Sequence, residues 1–153
     1  MKTCQNRIYG AEYSQEEIAG AVRDGRLLSM EIEFNKSCNF RCLYCYASDN
    51  NHHLNELTKE EFIDVIQQAR ELGARKMIIL GGEPMLYPHI MEMIRFIRGL
   101  DMEVELFTNG THMTREAARA MYELGVRVVL KMNTFDENLQ DTLSGRKGAY
   151  AQI

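Results

Sequence analysis

The 153 residues carry 18 Lys and Arg against 22 Asp and Glu, a formal net charge of −4, and 45% of them are apolar. Such a composition describes one soluble globular domain with enough apolar surface for a core, and its mild acidity offers no electrostatic footprint for nucleic acid. No apolar run approaches transmembrane length and the opening residues, Met1 to Asn6, hold no apolar signal segment, so the expectation is a reducing cytoplasm with no membrane association. Cysteines there bind metal more often than they pair, and the remote Cys4 is expected to be a free thiol.

The first element is a capping box, Ser14-Gln15-Glu16-Glu17, in which the serine hydroxyl and the glutamate three positions on satisfy each other's backbone N–H groups. It opens a short helix over Ile18, Ala19 and Val22 that ends near Gly25. Residues 28 to 34 then alternate, with Leu28, Met30, Ile32 and Phe34 on one side and Ser29, Glu31 and Glu33 on the other, which predicts a strand. A cysteine-rich loop follows directly. After the polar run Asp49 to His53, a second capping box at Thr58 to Glu61 begins a helix whose Phe62, Val65, Ile66, Ala69 and Leu72 share a face, with Gly73 as its stop.

From there the chain repeats a strand-helix unit. Lys76 to Leu80 is a short apolar strand ending in Gly81-Gly82-Glu83-Pro84, and a helix around Ile90, Met93, Ile94 and Ile97 stops at Gly99. Strand 103 to 107 runs into Thr108-Asn109-Gly110. A helix capped by Thr114, with Ala117, Met121 and Leu124 inward and Gly125 as its stop, leads to a strand over residues 127 to 132. Four strands with three intervening helices imply an α/β fold with a parallel sheet and right-handed crossovers. In such sheets ligands gather at the C-terminal strand ends, where every candidate motif falls.

The motif that bears most directly on chemistry is Cys38-Asn39-Phe40-Arg41-Cys42-Leu43-Tyr44-Cys45, three cysteines in a C-x3-C-x2-C array. Soft thiolates this close together suit an iron-sulfur cluster, zinc or cuprous ion. Structural zinc sites and the familiar electron-transfer clusters use four ligands, so three leave one metal position open for chemistry. The alternative is a noncatalytic zinc-stabilised α/β binding module in which His52 or His53 closes the site. In Gly81-Gly82-Glu83-Pro84, paired glycines let the backbone approach a ligand and offer carbonyls to an ammonium group, although the same tetrapeptide also reads as a tight strand-to-helix turn. Thr108-Asn109-Gly110 reads equally as a polar turn. The ten methionines fit packing better than a cofactor role.

The cysteine array, with aromatic Tyr44 before its last member, resembles the signature of the radical S-adenosylmethionine enzymes, and the GGEP and TNG segments resemble that superfamily's second and third strand ends. The resemblance implies that Cys38, Cys42 and Cys45 hold a 4Fe-4S cluster whose fourth iron chelates the methionine part of S-adenosyl-L-methionine. An electron from a donor such as flavodoxin or ferredoxin would then cleave the cofactor to a 5'-deoxyadenosyl radical that abstracts hydrogen from the substrate. It further implies that Gly81, Gly82 and Glu83 contact the methionyl amine, that Tyr44 lies by the adenine, and that Asn109 lines the mouth of the site. Many peptide-modifying relatives end the fourth strand in Ser-x-Asp-Gly, where this chain has Lys131-Met132-Asn133-Thr134. Asn133 is carried over as a ribose contact and Lys131 as a carboxylate contact.

Asp141, Gly145 and a further helix starting at Gly148-Ala149-Tyr150 match the superfamily's spacing, so the resemblance runs from about Met30 to the end. It implies a parallel, partial TIM-like barrel of six βα units. Residues 1–27 would form an N-terminal helical extension, and residues 28–153 the N-terminal part of the core domain, truncated after about four strands. The tyrosine-rich run Cys42-Leu43-Tyr44-Cys45-Tyr46 is similar to that of the branch that matures peptides and sulfatases, often with a SPASM domain. That branch implies a peptide or protein substrate.

Overall fold

The computed structural model describes residues 13–47 and 56–153. Cys4, His52, His53 and the loop around them lie outside the described residues. The elements in chain order are α1 (Gln15–Asp24), β1 (Ser29–Glu33), α2 (Lys59–Glu71), β2 (Lys76–Leu80), α3 (Ile90–Gly99), β3 (Glu103–Thr108), α4 (Arg115–Glu123), β4 (Arg127–Leu130) and α5 (Glu137–Ser144), with 3-10 turns at Pro84–Leu86 and Tyr150–Gln152.

Both capping boxes form. Ser14 Oγ accepts from the Glu17 N–H and Thr58 Oγ1 from the Glu61 N–H, while each glutamate returns a bond to its cap's N–H. In α1, however, Ala21 is the buried residue and Val22 is exposed. This helix lies ahead of the sheet and meets the body through Arg75, whose guanidinium pairs with Glu17 at 2.9 Å.

The four strands form one parallel sheet in the order β1-β2-β3-β4. Sequential order with right-handed crossovers puts the connecting helices on a single face, the arrangement that curls toward a barrel. Register defines the two faces: Ile32, Ile79, Leu106 and Val128 are partners across the sheet, as are Glu31, Ile78, Glu105 and Arg127. The first row faces the core: Ile32, Ile79 and Leu106 are buried, while Val128 on the last strand is 37% exposed. Ile79 and Leu106 are fully buried with Ile66 of α2, Met93 and Ile94 of α3, and Met121 of α4. Four methionines, at positions 77, 93, 102 and 121, are core residues, where an unbranched thioether fills irregular gaps.

The opposite face carries charge. Lys76 Nζ pairs with Glu105 Oε2, each side chain only 6% exposed, and Arg127 Nη1 reaches Glu105 Oε1 at 3.4 Å. Two positive groups around one buried carboxylate offset a desolvation cost that a lone Glu105 could not meet. Nothing in the apolar alternation of Lys76 to Leu80 signals this triad.

Two boundaries differ from the sequence expectation by more than one residue. The fourth strand ends at Leu130 rather than at residue 132, although the Lys131 N–H still donates to the Thr108 carbonyl at 3.0 Å. The helix after it is α5, capped by Asp136 and closed by Gly145 in the left-handed conformation, and Tyr150 begins only a 3-10 turn. Asp136 and Gly145 are a sound start-stop pair in the sequence, but the helix between them offers no broad apolar stripe. Among the described residues no helix is long and apolar enough to cross a membrane.

Candidate metal centre

The loop after β1 carries Cys38, Cys42 and Cys45, all free thiols of intermediate exposure. Burial pushes the Cys38 thiol up against the downward pull of the Phe40 N–H, with smaller upward contributions from Glu83 and the other two cysteines. Burial also raises Cys42, against the downward pull of a hydrogen bond with Tyr44 and the nearby charge of Lys131. The three thiols share one loop without forming a ready-made ligand set: among the described residues no group of three His, Cys, Asp or Glu side chains is disposed to hold a metal ion.

The loop itself is firmly held. Phe40 is buried, the Cys45 N–H donates to the Cys42 carbonyl at 3.1 Å, and the Phe40 N–H points at Cys38 Sγ at 3.4 Å. By donor chemistry the site fits an iron-sulfur cluster: three soft thiols on one short, anchored loop at the C-terminal end of a parallel strand.

The glycine turn after β2 lies against this loop. Gly82 N–H donates to the Asn35 carbonyl (3.1 Å) and Glu83 N–H to the Ser37 carbonyl (2.8 Å). A β-carbon on Gly81 would stand 2.6 Å from the Asn35 oxygen, and one on Gly82 would stand 2.2 Å from that of Ser37. Gly81 also has a φ of +123°, which disfavours any side chain. The close approach that demands these glycines is therefore to the protein's own backbone, at the foot of the cysteine loop. That is a physical reason for the pair which ligand contact alone did not supply.

Glu83 is 1% exposed and its carboxylate is occupied by the chain. Oε1 accepts from the Thr108 hydroxyl (2.6 Å) and the Met85 N–H (3.0 Å), and Oε2 from the Asn109 N–H (2.7 Å). It braces the end of β2 against the end of β3. Asn109 continues the connection in a closed ring: its Nδ2 donates to Asn39 Oδ1 (2.7 Å), Asn39 Nδ2 donates to Thr111 Oγ1 (2.7 Å), and the Thr111 hydroxyl donates back to Asn109 Oδ1 (2.7 Å). Asn109 thus clamps the TNG turn to the cysteine loop. Its partners Asn39 and Thr111 carry no periodic or motif signal, and only the fold shows that they meet.

Residues from the fourth strand end also reach the loop. Asn133 Nδ2 donates to the Tyr44 hydroxyl at 2.5 Å, and that tyrosine lies near enough to Cys42 to lower its thiol against the effect of burial. Tyr44 is 48% exposed and leaves part of its ring surface open. Lys131 lies on the exposed surface close enough to act on Cys42. Tyr46, unforeseen as a site residue, donates to Glu33 Oε1 at 2.5 Å, and that hydrogen bond pushes its phenol up to about 12.

With this geometry in place, the comparisons with known proteins decide the family. The model of the Radical SAM superfamily matches residues 32–153. This chain belongs to the Radical SAM superfamily. Among similar curated proteins, the sporulation killing factor maturation protein SkfB of Bacillus subtilis is 29% identical over 136 residues, 88% of this chain and 33% of SkfB. A GTP 3',8-cyclase of Microcystis aeruginosa is 32% identical over 127 residues, 78% of this chain and 38% of the cyclase. Among solved structures, Streptococcus suis SuiB bound to S-adenosylmethionine superposes with a TM-score of 0.72 at 21% identity, over 89% of this chain and 33% of SuiB. SuiB bound to its precursor peptide SuiA gives 0.73 at 19% identity, over 97% of this chain and 36% of SuiB. At that identity the likeness concerns the fold. The chain spans about a third of the length of these Radical SAM relatives.

Proposed function

We propose that this chain is the cluster-bearing part of a radical S-adenosylmethionine enzyme that modifies a peptide, with Cys38, Cys42 and Cys45 as ligands of a 4Fe-4S cluster. The observation that carries the reading is the convergence of three strand ends on one loop of three free thiols with no fourth cysteine among the described residues. When bound, a cluster of this kind supplies the electron that cleaves S-adenosylmethionine to a 5'-deoxyadenosyl radical for hydrogen abstraction. The protein's part is positioning. Gly81, Gly82 and Glu83 shape the turn proposed to face the methionyl amine, with Glu83 acting through the backbone it braces. Tyr44 offers its open ring to the adenine. Asn109 would line the mouth, Asn133 would meet the ribose, and Lys131 would supply a positive charge for the cofactor's carboxylate.

A peptide substrate is supported by SuiB, solved with the precursor peptide SuiA, and by SkfB, a maturation protein for a killing factor, with the cyclase as a reminder that the fold serves other substrates. An external one-electron donor such as a flavodoxin or ferredoxin and a reducing cytoplasm complete the proposal, since free thiols and a reduced cluster both need them. The zinc-stabilised binding module drew its fourth ligand from His52 or His53, and family membership favours the redox reading.

The test is to reconstitute the chain anaerobically with iron and sulfide, add S-adenosylmethionine and dithionite, and measure 5'-deoxyadenosine, alongside the same protein extended through the full length typical of its relatives. Cleavage by the extended protein, lost when the cluster is omitted, is the expected result. No 5'-deoxyadenosine from a fully loaded extended protein would overturn the proposal.

A further inference from the structure

Bonded to the backbone of the cysteine loop is a segment given no role above, the C-terminal end of α5. A helix leaves its last carbonyls without intrahelical partners, and they must bond elsewhere. Here the cysteine loop supplies the donors. The Arg41 N–H donates to the Ser144 carbonyl at 2.9 Å and the Leu43 N–H to the Leu143 carbonyl at 3.0 Å, one bond on each side of Cys42. Next along, Arg146 Nη1 donates to the Asn39 carbonyl at 3.1 Å while its guanidinium lies over the buried Phe40 ring, 5.7 Å from the centroid. Asn39, Phe40 and Arg41 are all the residues between the first two cysteines, and every one of them is held by this short stretch.

Gly145 makes the contact possible. It sits at φ +62°, and a β-carbon there would stand 2.1 Å from the Arg41 carbonyl oxygen and 2.8 Å from its carbon, so the loop backbone passes where any side chain would be. The helix is positioned in turn by fully buried Gln140, whose Oε1 accepts from the Asn133 N–H at 3.0 Å and whose Nε2 donates to Ser144 Oγ at 3.0 Å. One continuous set of bonds therefore runs from the exit of β4 through α5 to the loop.

We infer that Gly145 and Arg146 are positioning residues for the iron-sulfur cluster: the end of α5 is a clamp that sets the spacing of Cys38, Cys42 and Cys45. The inference rests on the proposed cluster ligation by those cysteines. Its role is that of an outer shell. Groups that orient ligands without touching the metal govern how tightly it is held, and losing one commonly costs about tenfold or more in affinity.

The fold contains its own control. Gly25 closes α1 at the same φ of +62°, yet a β-carbon there meets nothing within 4 Å. Gly25→Ala thus imposes the same left-handed backbone strain without the collision. The experiment compares the wild type, Gly145→Ala, Gly25→Ala and Arg146→Ala by circular dichroism, by hydrogen exchange of the metal-free Arg41 and Leu43 amides, and by iron release to a chelator after anaerobic reconstitution. The expected result is that Gly145→Ala folds, exchanges those two amides faster and releases iron about tenfold faster, that Arg146→Ala also accelerates release, and that Gly25→Ala behaves as wild type. Wild-type iron retention in Gly145→Ala, or equal loss in Gly25→Ala, overturns the inference. Should Gly145→Ala not fold, Arg146→Ala decides, and release at the wild-type rate rejects the clamp. A wild type that takes up no iron defeats the cluster reading instead, while protection of the Arg41 and Leu43 amides still reports whether the clamp exists.

Discussion

Alanine at any one of Cys38, Cys42 or Cys45 is expected to abolish stable cluster binding, whereas Cys4→Ala leaves iron uptake at the wild-type level. With three thiols as the whole ligand set, deleting one leaves two, and two ligands on one short loop do not hold a four-iron cluster against chelation. The fold should survive each change. All three cysteines are only half-buried and none belongs to the apolar cluster under the sheet, so the variants should keep their far-ultraviolet spectrum while losing the brown colour. Iron and sulfide analysis after anaerobic reconstitution checks this directly. Equal loss in Cys4→Ala would mean four protein thiolates close the site, leaving no iron for S-adenosylmethionine.

Glu83→Ala is expected to produce the largest loss of stability among the site residues. The carboxylate is 1% exposed and accepts three hydrogen bonds, from the Thr108 hydroxyl and from the Met85 and Asn109 N–H groups. Truncation leaves these donors facing a cavity, and buried donors without acceptors cost about 1 to 3 kcal/mol each, so a net loss of about 3 to 4 kcal/mol is expected after relaxation. Glu83→Gln keeps the shape but turns one oxygen into a donor, which must meet an N–H or hydroxyl head on, and should fall between wild type and alanine. Urea unfolding of the three proteins measures the series. Because Glu83 joins the GGEP turn to the TNG turn, and Asn109 joins that turn to Asn39 in the cysteine loop, the alanine variant should also load less iron. A Glu83→Ala protein as stable as wild type would show that the brace carries no energy.

The sequence made most of the fold legible because its signals were local. Capping boxes at Ser14 and Thr58, glycine stops, and apolar runs such as Lys76 to Leu80 each depend on a few adjacent residues, and the four parallel strands form as the alternation required. The cysteine array was likewise contiguous. The contacts that tie the site together were not legible, since they join positions far apart: Asn39 with Thr111, Tyr44 with Asn133, Arg41 with Ser144. The backbone collisions that Gly81 and Gly82 avoid, with Asn35 and Ser37, were not legible either, because they too join distant positions. Helix α5 escaped notice because its polar sequence is held by the Asp136 cap, the Gly145 stop and the buried, hydrogen-bonded Gln140 and Ser144 rather than by an apolar face.

The central claim is that three thiols hold a cluster with one iron left open. Electron paramagnetic resonance of the anaerobically reconstituted, dithionite-reduced chain, recorded before and after adding S-adenosylmethionine, tests it most directly. The account predicts the signal of a reduced 4Fe-4S cluster that changes shape when the cofactor binds the open iron. Stoichiometric zinc with no cluster signal would contradict it.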